Sequence, residues 1–396
     1  MTSSVPSPDL TRGPTHDAMA QRAARSGVRR VHLLAFRDLG DPEAGGSEEH
    51  AAQMARHLAL AGLDVTHHTG RVAGAPEDIV RDGVRVVRRG GRLGVFPCTV
   101  RDERGGKMGP TDGIIEIFHG VPFFAPLWAR RVPQVGLVHH VHLGTWHHLL
   151  PQPAAALGHL VERFVVPVVY RHRQLVTIAE SSRDEVLHAY GADPDRVSVL
   201  VNGVDGRFTP GGTRSSHPLV VGVARLMPQK GVDDLVAAFA VVRAEVPNAQ
   251  LVVVGSGPER AALEGTARRL GVAAAVHFTG YVPEADLVDW YRQAWVVASA
   301  SHREGFGLTL LEAAACGTPS VVRRIPGHVD AVLDGITGLL ADGVPALGAA
   351  LVDVLTDAAL RARLADAALA HAGECRWEHT AQGVLDALCA DADRRR

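Results

Sequence analysis

Short β-branched runs, each followed by a loop and a helix-length stretch, recur along this chain in two series. That alternation constrains the fold more than any other feature. The first series opens with an apolar run at 28–36 and a loop, Asp41-Pro-Glu-Ala-Gly45-Gly46-Ser47. A helix at 48–60, with Ser47 as its N-cap, and a strand at 64–68 follow. Further strands are expected at 84–87, 114–117, 135–139, 175–178 and 197–201, with an apolar helix at 157–170. A polar stretch, Thr209-Pro-Gly-Gly-Thr-Arg-Ser-Ser-His-Pro218, reads as a linker. Beyond it, strands at 219–223, 250–254, 276–279, 296–299 and 320–322 alternate with helices, one of them opened by Gly307. Strand–helix–strand alternation builds parallel sheets. The expected class is therefore α/β, with two Rossmann-like doubly wound parallel-sheet domains. Ligands of such sheets sit beyond the strands' carboxyl ends, so the default site is a cleft that both domains face. A chain of 396 residues is too long for one ordinary core and fits this division. The expected boundaries are a disordered lead-in at 1–27, a first domain at 28–206 and a second at 207–377.

Composition narrows the function classes. A net charge of −2 gives no bulk attraction to nucleic acid. Four scattered cysteines, Cys98, Cys316, Cys375 and Cys389, have neither zinc nor disulfide-framework spacing and fit a reducing cytoplasm. No apolar run approaches the roughly 18 residues of a transmembrane span. The terminal Arg394, Arg395 and Arg396 leave only peripheral membrane contact open.

The chemistry-bearing motifs gather in the second series. Glu304-Gly-Phe-Gly-Leu-Thr-Leu-Leu-Glu312 places one carboxylate in a glycine turn and a second on the helix that follows. The free N–H groups of that helix start suit an anion, and the acids beside it suit hydroxyls. A ligand carrying both phosphates and hydroxyls, such as a nucleotide-sugar, meets both demands. Arg225 and Lys230, in Gly222-Val-Ala-Arg-Leu-Met-Pro-Gln-Lys-Gly231, follow a strand and can neutralise a diphosphate without a metal. Gly255-Ser-Gly257 lacks the third glycine of a dinucleotide fingerprint, Arg260 standing in its place. In the first series, Gly45-Gly46-Ser47 precedes a helix, and His139-His-Val-His142 ends a strand without the third ligand of a metal site. Read as a glycosidase pair, Glu304 and Glu312 would leave the adjacent cations without a role.

Together these segments resemble the family 4 retaining glycosyltransferases of GT-B fold. The likeness runs from Gly45-Gly46-Ser47-Glu48 and His139 through Asn202-Gly-Val-Asp205, Arg225…Lys230-Gly231, Val254-Gly-Ser-Gly257 and Phe278-Thr-Gly-Tyr-Val282. It ends in Glu304-Gly-Phe-Gly307…Glu312-Ala-Ala-Ala-Cys-Gly317-Thr-Pro and Gly335-Ile-Thr-Gly338-Leu-Leu. The resemblance implies that Arg225 and Lys230 hold a donor diphosphate, that Glu304 touches the transferred sugar and that Glu312 binds the ribose hydroxyls. It implies backbone donors at Gly305, Phe306, Gly307 and Leu308, a first-domain phosphate loop at Gly46, and base contacts around Tyr281 and Val282. His139 looks like the histidine near the reacting face, although His140 follows directly and keeps that assignment open between the two. A C-terminal helix within 378–396 is expected to return to the first domain. The strand before Glu304 ends Ala298-Ser-Ala-Ser-His-Arg, where the family usually has Pro-Ser.

The implied activity is metal-independent, retaining transfer of a hexose-type sugar from a nucleoside-diphosphate sugar, UDP- or GDP-linked. It needs no cofactor. The acceptor is a free hydroxyl on a small molecule, glycan or lipid. A nucleotide-sugar epimerase or a phosphorylase on the same scaffold is the rival reading.

Overall fold

The computed structural model describes residues 11–149 and 151–396. The chain forms two compact units: one comprises Leu10–Gly203 with Arg376–Arg396, the other Val204–Cys375.

The first unit is built on an eight-stranded sheet of β1 (Arg30–Leu34), β2 (Asp64–Thr69), β3 (Asp78–Arg81), β4 (Val84–Arg88), β5 (Gly113–Phe118), β6 (Gln134–Val138), β7 (Leu175–Thr177) and β8 (Val197–Val199). Their order is β3-β4-β2-β1-β5-β6-β7-β8, parallel except for the β3–β4 hairpin. β5 and β6 are buried along their whole length, as strands covered on both faces must be. Of the hairpin's two strands only β4, at 84–87, was expected; β3 was not. Its signal is Asp82-Gly83, both at positive φ (51° and 77°), the pair a tight hairpin turn favours. The strand order reverses between β1 and β5, which opens a crevice beyond their carboxyl ends.

Two expectations at the start of the chain are corrected. The lead-in holds a helix, Pro14–Ser26, ending in Gly27 at φ 70°. It buries Met19 and Ala23 against Val384, Leu385 and Leu388 of the helix Trp377–Arg394, and Arg22 pairs with Asp393 at 2.9 Å. The helix is ordered because a distant segment supplies its apolar partner. Residues 1–10 lie outside the described residues. The second correction concerns Gly46–Leu60, whose N-cap is Gly45, not Ser47. Glu48 folds back so that its Oε2 accepts the Gly45 N–H at 2.8 Å and the Ser47 hydroxyl at 2.9 Å.

The expected C-terminal helix is Trp377–Arg394, and it completes the first unit's core. The terminal arginines are engaged there and do not form a free basic tail. Arg394 donates to Gln174, Arg395 to Asp391 and the Arg130 carbonyl, and Arg396 to the Arg25 carbonyl. Gly203 lies so close to Trp377 that a Cβ would stand 2.0 Å from its backbone nitrogen.

The second unit has a six-stranded, all-parallel sheet: β9 (Leu219–Val223), β10 (Gln250–Val254), β11 (Val276–Gly280), β12 (Val296–Ser299), β13 (Ser320–Arg323) and β14 (Gly338–Ala341). The order β11-β10-β9-β12-β13-β14 is that of a dinucleotide-type doubly wound fold, reversing between β9 and β12. Helices Val232–Glu245 and Gly343–Thr356 bury Val236, Phe239, Leu351 and Val354 against it. Among the described residues no single helix is long and apolar enough to cross a membrane.

Candidate functional site

Because every strand of the second sheet is parallel, the loops after β9 to β13 leave from the same edge. That edge carries Arg225 and Lys230 after β9, Gly255 after β10, Tyr281 and Val282 after β11, Glu304 after β12, and Gly327 and His328 after β13. Arg225 and Lys230 on one side and Glu304 on the other flank the β9/β12 switch point.

Glycines bring these loops into contact. Gly231 has φ 56°, and a Cβ on it would stand 2.2 Å from the Ala300 carbonyl oxygen. The His302 N–H donates to the Gln229 carbonyl at 3.0 Å, stitching the same two loops. Lys230 is thereby placed on Glu304, where its Nζ donates to Oε1 at 2.7 Å and to Oε2 at 2.8 Å. Ser301 Oγ donates to Oε1 at 2.8 Å. Burial pushes the Glu304 carboxyl up. The touching Lys230 ammonium, with His328 and Ser301, outweighs that and holds it below its ordinary value. Gly255 and Gly257 serve a similar purpose on the other flank. A Cβ on either would meet the Ala224 or Leu226 carbonyl at 2.0 or 2.3 Å, so the pair seats the Arg225 loop. Arg225 itself is exposed at the edge.

Past Glu304 the chain turns through Gly305 and the buried Phe306 into the helix Leu308–Ala315. Gly307 caps that helix at φ 102°, a conformation only glycine adopts freely. The first N–H groups of an α-helix lack the usual partner four residues back; here that of Leu310 reaches the Gly307 carbonyl at 2.9 Å. Glu312 lies on this helix, and its Oε2 accepts the Tyr291 hydroxyl at 2.7 Å. Burial and the adjacent carboxylate hold that phenol well above its usual range, so it remains a donor. Tyr281 projects into solvent, 76% exposed, with Val282 half-buried beside it.

Three participants escaped sequence reasoning. Ser301 bonds Glu304, and Tyr291 bonds Glu312. His328, buried and drawn below its ordinary value by that burial, has Glu304 as an opposing influence. Gly327-His328 follows the β13 strand end, and a Cβ on Gly327 would stand 2.6 Å from the Glu304 carbonyl oxygen. A glycine just past a strand on the ligand edge was the available signal.

In the first unit, the β1/β5 crevice holds the Gly46 helix start. There Glu48, nearly fully buried, lies 3.3 Å from His119 Nε2. Burial raises the Glu48 carboxyl, but His119 and the Gly45 N–H overcome this and lower it. His139, after β6, is 7% exposed and packs edge-on against His50 at 5.1 Å between ring centroids. Neither ring nitrogen of His139 has a hydrogen-bond partner among the described residues. Burial, reinforced by His50, His119 and His142, holds its pKa well below the usual value. His140 is turned differently and stacks on His142 at 4.2 Å. Among the described residues no group of three His, Cys, Asp or Glu side chains is placed to hold a metal ion.

Two doubly wound α/β units define a two-domain Rossmann-like class of protein, and the comparisons identify the family. Residues 44–207 match the family described as Glycosyltransferase Family 4, and residues 208–371 match Glycosyl transferases group 1. D-inositol 3-phosphate glycosyltransferase of Acidothermus cellulolyticus is 35% identical over 96% of both chains. The protein of the same name from Kribbella flavida is 32% identical over 96% of this chain and 97% of its own. Among solved structures, sucrose-phosphate synthase from Thermosynechococcus elongatus superposes with a TM-score of 0.76 at 22% identity, covering 90% of this chain and 97% of its own. Anabaena Alr3699/HepE in complex with UDP and glucose gives 0.70 at 20% identity, covering 90% and 98%. The chain belongs to glycosyltransferase family 4, has the GT-B fold, and is a glycosyltransferase.

Proposed function

We propose that this enzyme moves a hexose-type sugar from a nucleoside-diphosphate sugar, UDP- or GDP-linked, to an acceptor hydroxyl with retention of configuration, without a metal, in the cytoplasm. The observation that carries the reading is the Lys230–Glu304 pair at the β9/β12 switch point, beside the helix start that Gly307 caps. In the free enzyme Lys230 is neutralised by Glu304. An incoming diphosphate offers Lys230 a second anion, and Arg225 and the N–H groups of Leu308 and its neighbours add donors. Charge developing on the leaving diphosphate thus meets fixed cations, as transition-state stabilisation requires. Glu304, once shared, presents a carboxylate to the sugar, and Glu312, braced by Tyr291, is assigned to the ribose. Tyr281 and Val282 lie at the same edge to take the base through their backbone. On the acceptor side the reading assigns the Gly46 helix start and the neutral His139. No side chain is assigned as a base, so the acceptor proton passes to the departing phosphate oxygen on the same face of the sugar.

The names of the relatives make D-inositol 3-phosphate the first acceptor to assay. UDP-, GDP-, ADP- and dTDP-sugars are first screened by thermal shift, where a true donor raises the melting midpoint. The stabilising donor is then incubated with D-inositol 3-phosphate and with a polyol and glycan panel, in chelator, and the anomeric configuration of the product is read by NMR. Retention in chelator is expected. An inverted product, a chelator-sensitive rate, or donor epimerised with no acceptor present would each overturn the reading.

A further inference from the structure

The first unit carries a helix with its apolar side turned outward. Three helical stretches, Ala154–Leu160, the π-helical Val161–Val165 and Val166–Tyr170, follow one another without a break. Leu157, Leu160, Phe164 and Val168 follow each other at intervals of three, four and four and are 64%, 52%, 62% and 73% exposed. Spacing of this kind makes one continuous stripe. Leu127, 51% exposed, lies on the short helix Ala125–Trp128 that packs against the end of this one.

The opposite side of the helix is committed, so the stripe cannot roll inward. Glu162 is fully buried, and its carboxylate accepts the His142 N–H at 2.7 Å, the Trp146 indole N–H at 2.6 Å and the Tyr190 hydroxyl at 3.0 Å. Tyr170, also buried, donates to Glu116 at 2.8 Å. Gly158 presses on the Trp146 ring, which a Cβ would approach to 2.6 Å. Rotating the helix would strand a buried carboxylate, so the outward-facing leucines and phenylalanine are fixed where they are.

The charge of the chain segment that carries the stripe points to what covers it. Between His119 and Ala179 the only acidic residue is Glu162, which is buried, while Arg130, Arg131, Arg163, Arg171 and Arg173 fall in the same segment. Arg130, Arg131, Arg163 and Arg171 are exposed. A second copy docking through this face would set the same arginines against one another. A surface of anionic phospholipid complements both features, apolar chains below and phosphates above. We propose that the helix at 154–170 docks this enzyme on a bilayer containing anionic lipid. Leu157, Leu160, Phe164 and Val168 enter the interface, and Arg163 and Arg171 pair with headgroup phosphates.

Docking is measured without donor or acceptor, so it stands or falls independently of the transfer chemistry. The full chain is sedimented with phosphatidylcholine vesicles and with the same vesicles containing phosphatidylglycerol. Binding is expected only to the anionic vesicles, and added salt should weaken it. Phe164→Asp combined with Val168→Asp is expected to lower the partition coefficient at least about tenfold. Arg163→Gln with Arg171→Gln should lower it about thirtyfold. Both pairs are solvent-facing, and unchanged melting midpoints confirm the fold. The proposal is overturned if the wild type stays in the supernatant with both vesicle types, or if neither variant pair changes binding. It is equally overturned if light scattering shows a dimer that Phe164→Asp dissolves while vesicles are ignored, since the stripe would then be covered by a second copy.

Discussion

Replacing Lys230 with methionine tests the central pair of the second unit through a property that depends on pH. In the wild type the Glu304 carboxyl is held below its ordinary value, and the ammonium of Lys230 is the chief cause opposing burial. A depressed carboxyl stabilises the fold above its unfolded pKa, and the contribution is lost as pH falls through the folded value. In Lys230→Met the burial remains and the ammonium does not. The cationisable neighbour left is His328, which its own burial biases toward the neutral ring. The carboxyl then rises above its ordinary value, the folded state holds the proton more tightly than the unfolded one, and stability falls as pH rises through that window. The gap between the two proteins is therefore small in acid and full near neutrality. Stranding one member of an interior pair costs about 3–5 kcal/mol. Side-chain exposures of 20% and 19% favour the lower end, about 3 kcal/mol. For a unit of this size that corresponds to about 6–12 °C in melting midpoint. Calorimetric melts across pH, resolving the second unit's transition, measure the gap. Adding Glu304→Gln to Lys230→Met should restore most of it near neutrality. A gap that does not change with pH, or no gap, would refute the reasoning.

Three further outcomes follow from the geometry. Gly231→Ala forces a Cβ against the Ala300 carbonyl at a positive φ; a loss of about 2–5 kcal/mol is expected in urea unfolding, with weakened donor binding by thermal shift. His139→Gln, which removes one preorganised polar group beside the reacting centre, should slow transfer by about two to three decades. Because burial keeps the His139 ring neutral through the physiological range, the wild-type rate profile should show no break from it near the usual histidine value; a break there that His139→Gln removes would contradict the burial argument. Met19→Ala should destabilise the first unit by about 2–5 kcal/mol, which a denaturant titration would detect and which an unstructured lead-in would not produce.

All strands but β3 and β14 were legible, because buried parallel strands are written as β-branched runs; β14, Gly338-Leu-Leu-Ala341, has no β-branched residue. The ligand edge was legible because glycines mark where loops must touch. What escaped depended on partners far along the chain. The helix Pro14–Ser26 buries His16, Met19, Ala23 and Ser26, a face with one large apolar residue, and its meaning comes from Val384 and Leu388. Glu304 and Lys230 were each singled out, but not as each other's partner, since 74 residues separate them. Glu48 drew notice only as the first residue of a helix and the end of a motif, because its contact with His119 exists only once β1 and β5 are adjacent. The hairpin at Asp82-Gly83 was readable and was passed over.

The helix Trp377–Arg394 also has a temporal consequence. Val384, Leu385 and Leu388 belong to the same core as Val31, Leu33 and Ile115, yet they are translated after all of 204–375. During synthesis the second unit has its complete set of residues first, while the earlier-made sheet waits with one side of its core uncovered. The unit that begins emerging from the ribosome first is thus the last able to close, and through that interval its exposed apolar strands are the part of the nascent chain most in need of a chaperone.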